Sequence, residues 1–411
     1  MNRRHGILLT LGLIALVVGL FGVVDRLRFG LLHVGYGTPI PWALWVALYI
    51  YFIGLSAGSF LVSSLAYVFR IRRFEPVGPA AVFTALVCLI TALLFIWVDL
   101  GHMERFVEVF FRPSWRSPLA WIVWLYTAYF FLLLAEAWFL LRRRFARHRD
   151  AGGVRAALYR VLAFGTQAGS AADSEKDLRI VRILGTVGVP LAIAFHGGTG
   201  AVFAVLMARP YWNTGLFPIL FLVSALASGC ALLTAVAAFL VPRGYPQDKS
   251  LLPGLGRLLL GLICLEVLMQ VAEFLVGLYG SAAAHAIPLQ EQLFGANWWL
   301  FWIVSVGLAV GIPALILATV GRRNSSLIGL AGLLSAAGFI GIRWNIVLPG
   351  FVVPELPGLE TAVTEPHLIF GRYVPTPMEW LVSCFAIGVA LTLFAIGFGL
   401  LPLGEEAQVQ I

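Results

Sequence analysis

The sequence predicts an all-α integral membrane protein with about ten transmembrane helices, built as two four-helix bundles (spans 2–5 and 6–9) flanked by spans 1 and 10. Three observations lead there. Hydrophobic residues make up 60% of the 411 and charged residues only 12%, about half the charged share of an ordinary soluble domain. Apolar runs of the ~20 residues needed to cross a ~30 Å hydrocarbon core recur along the whole chain. The connections between those runs alternate between rich and poor in Lys and Arg, as membrane loops do. No remaining stretch is long enough to hold a catalytic core of its own.

The runs are 6–24, 40–69, 79–99, 118–141, 183–208, 215–241, 253–281, 297–320, 326–348 and 377–402. Span 1 follows Met1-Asn2-Arg3-Arg4-His5 as a signal peptide would. It is long, has no small-x-small cleavage site and ends in Asp25-Arg26-Leu27-Arg28, so a retained helix is expected. Span 2 enters at Pro41-Trp42 and passes through Gly54-Leu55-Ser56-Ala57-Gly58-Ser59; span 6 enters at Tyr211-Trp212 and passes through Ala225-Leu226-Ala227-Ser228-Gly229-Cys230. Small residues at this spacing let helix backbones approach closely. Lying four helices apart, the two spans cross in the same direction, which suggests parallel rather than inverted repeats. The expected divisions are a flanking helix in 1–30, a first bundle in 31–208 with a basic loop at 142–182, a second bundle in 209–348, and a loop with the last helix in 349–411.

With ten spans, the N-terminus and the loops near 70–78, 142–182, 242–257 and 321–325 share one side and carry 20 of the 28 Lys and Arg. Both termini are therefore expected on the cytoplasmic side. The net charge of +8 is that asymmetry and needs no nucleic acid. Val154 to Phe164 reads as a short interfacial amphipathic helix. Cys88, Cys230, Cys264 and Cys384 all fall within spans and form no Cys-x-x-Cys pair, so neither an iron–sulfur cluster nor a zinc site is expected, and no metal. Of the seven histidines only His196 sits deep in a span, too few for the paired axial ligands of a membrane haem.

The chemistry concentrates in two groups. At the end of span 3, Asp99 and His102 are spaced to share a helical face, with Arg105 a turn later; His33 and Tyr36 precede span 2, and Trp121, Tyr126 and Tyr129 open span 4. An aromatic belt accounts for Trp and Tyr, but not for an Asp and two His on one rim. In span 7, Glu266, Gln270 and Glu273 line one face, with His196 and Arg343 in neighbouring spans as partners for a buried polar or proton-carrying network. Glu273 with Arg343 would make a structural salt bridge, and Glu136 reads as an interfacial residue.

These residues lie in stretches that resemble the NrfD/polysulfide-reductase membrane-subunit family, in its ten-helix branch of HybB-like and DsrP-like subunits. The resemblance rests on Pro41-Trp42-Ala43-Leu44-Trp45 with Tyr51-Phe52-Ile53-Gly54-Leu55-Ser56-Ala57-Gly58, on Val98-Asp99-Leu100-Gly101 and on Ser117-Pro118-Leu119-Ala120-Trp121. Farther on it shows in His196-Gly197-Gly198-Thr199-Gly200, Trp212, Glu273, Arg343-Trp344-Asn345 and Tyr373-Val374-Pro375-Thr376-Pro377-Met378-Glu379. His102 stands where many relatives have Arg, and the loop at 142–182 is longer than the family requires.

The resemblance implies a haem-free subunit that passes electrons between a membrane quinone, menaquinone or ubiquinone, and a ferredoxin-like iron–sulfur subunit, often beside a molybdopterin or other catalytic subunit. Without haem or cluster, electrons cannot cross the bilayer inside this chain. The quinone is then expected where the partner docks, on the periplasmic side that carries the polar rim, among His33, Tyr36, Asp99, His102, Arg105, Trp121, Tyr126 and Tyr129. The loops at 103–117 and 349–376 are the expected docking surfaces. A proton-coupled secondary transporter using the Glu266–Glu273 face is the alternative.

Overall fold

The computed structural model describes residues 3–149, 153–167, 171–241, 248–280, 283–319, 324–354, 356, 358–362 and 373–403. Among these residues, ten helices are long and apolar enough to cross a membrane. In chain order the helices are α1 (Arg3–Phe29), α2 (Leu44–Tyr67), α3 (Gly78–Asp99), α4 (Pro118–His148), α5 (Gly153–Leu162), α6 (Ala171–Ala204), α7 (Phe217–Phe239), α8 (Asp248–Tyr279), α9 (Ala283–Phe294), α10 (Leu300–Ala318), α11 (Ser325–Val347) and α12 (Pro377–Leu400). The short α5 and α9 do not span. The first part of α10, Leu300–Gly311, is π-helical. The side bearing Arg142-Arg143-Arg144 is the basic face, and the other the opposite face.

Helices α2 and α7 form the buried centre, and α1 is the least covered span. They meet where the two small-residue stretches face one another. A Cβ on Gly58 would strike the Ala225 carbonyl, and one on Gly229 would strike the backbone of Gly58. The repeated pattern in the sequence is thus two sides of one contact, which glycine alone allows to close this far. α3 and α6 pack on α2, with α4 against α3 and α6; α6, α8 and α11 pack on α7, with α10 against α11. The flanking helices α1 and α12 lie along one another and against α3, with Gly12, Gly19 and Gly22 of α1 opposite Thr392, Phe385 and Leu381 of α12.

Where the basic loop was expected, α4 and α6 run beyond their apolar cores, to His148 and from Ala171. Hydropathy marks the lipid-buried length of a helix, and charged helical turns extend past it. Asp177 clamps these extensions together, accepting from Arg142 Nε at 3.0 Å and Arg143 Nε at 2.6 Å. Between them, α5 ties to the end of α12 through Arg155 to the Gly399 carbonyl at 2.9 Å and Tyr159 to the Leu400 carbonyl at 2.5 Å.

Candidate functional site

At the opposite face, the end of α1, the segment before α2, the end of α3 and the start of α12 converge on Asp99. The Tyr36 hydroxyl donates to Asp99 Oδ1 at 2.8 Å. Arg26 of α1 is buried and caps the end of α3, Nε donating to the Val98 carbonyl at 2.8 Å and Nη2 to the Leu100 carbonyl at 2.5 Å. Its charge also acts on Asp99 and Tyr36. A cation at a helix C-terminus, where carbonyls have no partner within the helix, is favoured by the dipole as well as by these bonds.

Glu379, fully buried, builds the other wall. Thr376 and Glu379 form a capping box that starts α12. The Glu379 carboxylate accepts from the Gly35 amide at 2.9 Å, the Thr376 amide at 2.9 Å and the Tyr373 hydroxyl. The Tyr36 ring stands 6.1 Å from that of Trp45 and 6.5 Å from that of Tyr373. Burial, reinforced by Asp99 beside Tyr36 and by Glu379 beside Tyr373, holds both phenol protons on far above the ordinary tyrosine range. Both hydroxyls therefore act as donors.

Deeper in the first bundle a second polar group joins α2, α4 and α6. The hydroxyls of Tyr49 and Tyr126 share a hydrogen bond, and Tyr126 and Thr199 share another at 2.8 Å. The Tyr129 hydroxyl donates to the Ser56 carbonyl at 3.3 Å, and Ser56 Oγ donates to the Ala85 carbonyl at 2.7 Å.

Of the eight rim residues expected from the sequence, Tyr36 and Asp99 meet directly, and Tyr126 and Tyr129 line the bundle below them. The other four lie on the outer surface. α3 ends at Asp99 and the chain extends at Leu100 (φ −63°, ψ 130°), so the helical spacing that would place His102 over Asp99 is broken. His102 instead pairs with Glu104 at 3.0 Å, with Arg105 beside Glu104 at 3.9 Å. His33 pairs with Asp25 at 2.8 Å and is half exposed. Trp121 donates to the Trp115 carbonyl at 2.9 Å, in a surface cluster of Trp115, Trp121 and Trp124.

Sequence reasoning missed Arg26, which it counted only as a loop charge, and gave Tyr373 and Glu379 no role at the rim. The Thr-x-x-Glu signature of the capping box was legible there. Of the loop expected to dock a partner, Glu355, Glu365, His367 and Arg372 lie outside the described residues.

The buried network divides in two. Gln270 donates to Glu266 Oε1 at 3.0 Å. Glu273 is bound by His285 of α9 at 3.2 Å rather than by Arg343. Arg343 is fully buried between the bundles, acting electrostatically on Glu266 and His196 and lying 5.2 Å over the Phe221 ring. A Cβ on Gly54 would stand 3.0 Å from Arg343 Nη2 and 3.6 Å from His196, so glycine there makes the room. A cavity of about 40 Å³ opens among Tyr211, Gln270, Glu273, Gln292, Ser305 and Asn345, room for about three waters at ~10–15 Å³ each. A smaller one adjoins Gln292, Asn345 and Tyr373.

Fold and site together define a polytopic α-helical membrane protein with a hydrogen-bonded acidic site at one membrane face and no soluble domain among the described residues. The chain belongs to the polysulphide reductase, NrfD family, whose pattern matches residues 33–355. It is 39% identical over 398 residues to a selenate reductase subunit of Mesobacillus selenatarsenatis, covering 95% of this chain and 93% of that one. It is 31% identical over 417 residues to a Halobacterium salinarum protein named as a dimethyl sulfoxide reductase membrane subunit, covering 97% and 92%. With the Hdr-like menaquinol oxidoreductase integral membrane subunit of Archaeoglobus fulgidus it shares 27% identity over 392 residues, covering 92% and 88%.

Proposed function

We propose that the chain is the quinone-reactive membrane subunit of a respiratory oxidoreductase complex, binding the quinone head group at the Asp99 rim of the first bundle. The observation that carries this is the Asp99 carboxylate, which accepts the Tyr36 hydroxyl and lies in the field of the buried Arg26 guanidinium. A quinone carbonyl needs a donor, a quinol hydroxyl needs an acceptor, and this arrangement offers both within one contact. The phenol of Tyr36 orients the oxygen, Asp99 receives the proton of a quinol, and Arg26 steadies the carboxylate in either state. Tyr126 and Tyr129 line the bundle below the ring, while His33, His102, Arg105 and Trp121 border the entrance. The relatives named as subunits of a menaquinol oxidoreductase and of a selenate reductase support this reading.

Electrons then leave on the same face, to a ferredoxin-like iron–sulfur subunit with a molybdopterin or other catalytic subunit beyond it. The face poor in Lys and Arg is the periplasmic one by the positive-inside rule, with both termini in the cytoplasm. Purification from native membranes tests the assignment. The chain should bring with it an iron-containing partner and about one quinone, and a chain that comes away alone, without iron or quinone, would overturn it.

A further inference from the structure

The rim site makes no use of the larger cavity in the second bundle, where segments from the start of α7 through α11 meet. Tyr211, Gln270 and Glu273 of α8, Gln292 of α9, Ser305 of α10 and Asn345 of α11 supply its polar lining. The amide nitrogens in this group are all engaged. Gln270 Nε2 donates to Glu266 Oε1 at 3.0 Å, Gln292 Nε2 to the Tyr211 hydroxyl at 2.9 Å and Asn345 Nδ2 to Ser305 Oγ at 3.3 Å. Both hydroxyls donate to backbone, Tyr211 to the Asn345 carbonyl at 3.0 Å and Ser305 to the Leu300 carbonyl at 3.0 Å.

What remains around the cavity is acceptors. Glu273 is bound by His285 at Oε1. No hydrogen bond from the described residues reaches its Oε2 or the amide oxygens of Gln270, Gln292 and Asn345. Gln292 and Asn345 are 5% and 6% exposed and Glu273 9%, so these oxygens are largely withdrawn from bulk solvent. Buried acceptors without donors are costly, and a buried anion more so. The buried Arg343 acts on Glu266, one helical turn and more from Glu273. Ser305 lies in the π-helical part of α10, a local winding that recurs at functional sites.

We propose that this cavity is a sodium site, with Glu273 as its charged ligand and the amide oxygens of Gln270, Gln292 and Asn345 as neutral ones. Oxygen ligands of this kind suit hard cations. One carboxylate balances a single positive charge, whereas a divalent ion would leave charge uncompensated at this depth. His285 holds Glu273 in place as a neutral donor. Such a site needs no cysteine and no histidine ligand, and so leaves no metal motif in the sequence. The smaller cavity shares Gln292 and Asn345 and adds Glu291 and Asn297 near the opposite face, which gives the ion its way in. Bound there, the ion ties α8, α9, α10 and α11 together and closes the mouth of the second bundle. It takes no step in electron transfer, and its binding is independent of where the quinone sits.

The test uses the whole complex, purified in choline chloride and titrated with sodium chloride at constant ionic strength, with radioactive sodium binding and thermal unfolding as readouts. The wild type should bind sodium saturably, and its unfolding midpoint should rise by several degrees and level off, as a ligand of the folded state requires. Potassium should act more weakly and choline not at all. Glu273→Gln should lose both the bound sodium and the rise. Gln292→Met, which removes a neutral ligand and no charge, should keep the rise but need about tenfold more sodium to reach it, the equivalent of about 1.4 kcal/mol. A wild type that responds equally to all three salts, or to none, overturns the site, since water alone then fills the cavity. A Glu273→Gln complex that keeps the sodium response overturns it as well. If Glu273→Gln does not assemble, Gln292→Met decides, and half-saturation at the wild-type sodium concentration counts against the site.

Discussion

The two bundles share a plan and differ in chemistry. Each places a central helix with a small-residue stretch against the other's, α2 through Gly58 and α7 through Gly229, running in the same direction. Around α2 the polar groups are phenols and hydroxyls in short hydrogen bonds, with Asp99 and the flanking α1 and α12 closing the rim. Around α7 they are Glu266, Glu273, His285 and Arg343, set beside small cavities and a π-helical segment. A repeat thus fixes the backbone and leaves the chemistry free. The proposed quinone site falls in the half where flanking helices supply additional groups, Arg26 from α1 and Glu379 from α12. That is a reason for this chain to have helices outside its two bundles.

Four substitutions and one control probe this difference. The largest effect belongs to what the halves share. Gly58→Leu forces α2 from α7, costing upward of about 3 kcal/mol, and the complex should fail to accumulate in membranes; Gly261→Leu, which meets open space, should leave purified yield unchanged. Next come the groups that set the halves apart. Asp99→Asn should lower quinol-dependent reduction of the partner by about 100-fold or more, the usual worth of a positioned general base, with assembly intact. Arg26→Gln removes two charge-assisted bonds to carbonyls, and turnover should fall about tenfold with some loss of thermal stability, since each such bond contributes about 1.5–3 kcal/mol; a steady-state rate equal to wild type would reduce α1 to packing. The smallest effect is at His102, exposed and paired with Glu104, where Ala should change quinol turnover by less than about fivefold, the usual limit of an exposed ion pair of up to about 1 kcal/mol.

Much of this was legible in the sequence, and for physical reasons. A bilayer imposes length and apolarity on every span, so the ten helices follow from hydropathy, and the glycine stretches announce the close contact at the centre. The site was legible in part. Asp99 and Tyr36 stood out because a carboxylate at a membrane rim calls for a partner. His102 was drawn in by helical spacing, which holds only while the helix continues, and α3 stops one residue too soon. Arg26 was hidden because an Arg at a span end is ordinary in topology, and only packing shows it turned inward onto α3. Glu273 could not be assigned its His285 partner because the short α9, between two spans, leaves no hydropathy signal.

Everything functional here depends on the quinone sitting at the Asp99 rim of the first bundle, not in the cavities of the second. A photoreactive quinone cross-linked to the intact complex and mapped by peptide sequencing decides between the two. The label should fall on the segments around Tyr36, Asp99 and Tyr126, and be displaced by excess quinol and greatly reduced in Asp99→Asn. Displaceable label confined to the residues around Tyr211, Glu273 and Asn345 would put the quinone in the second bundle and contradict the rim assignment.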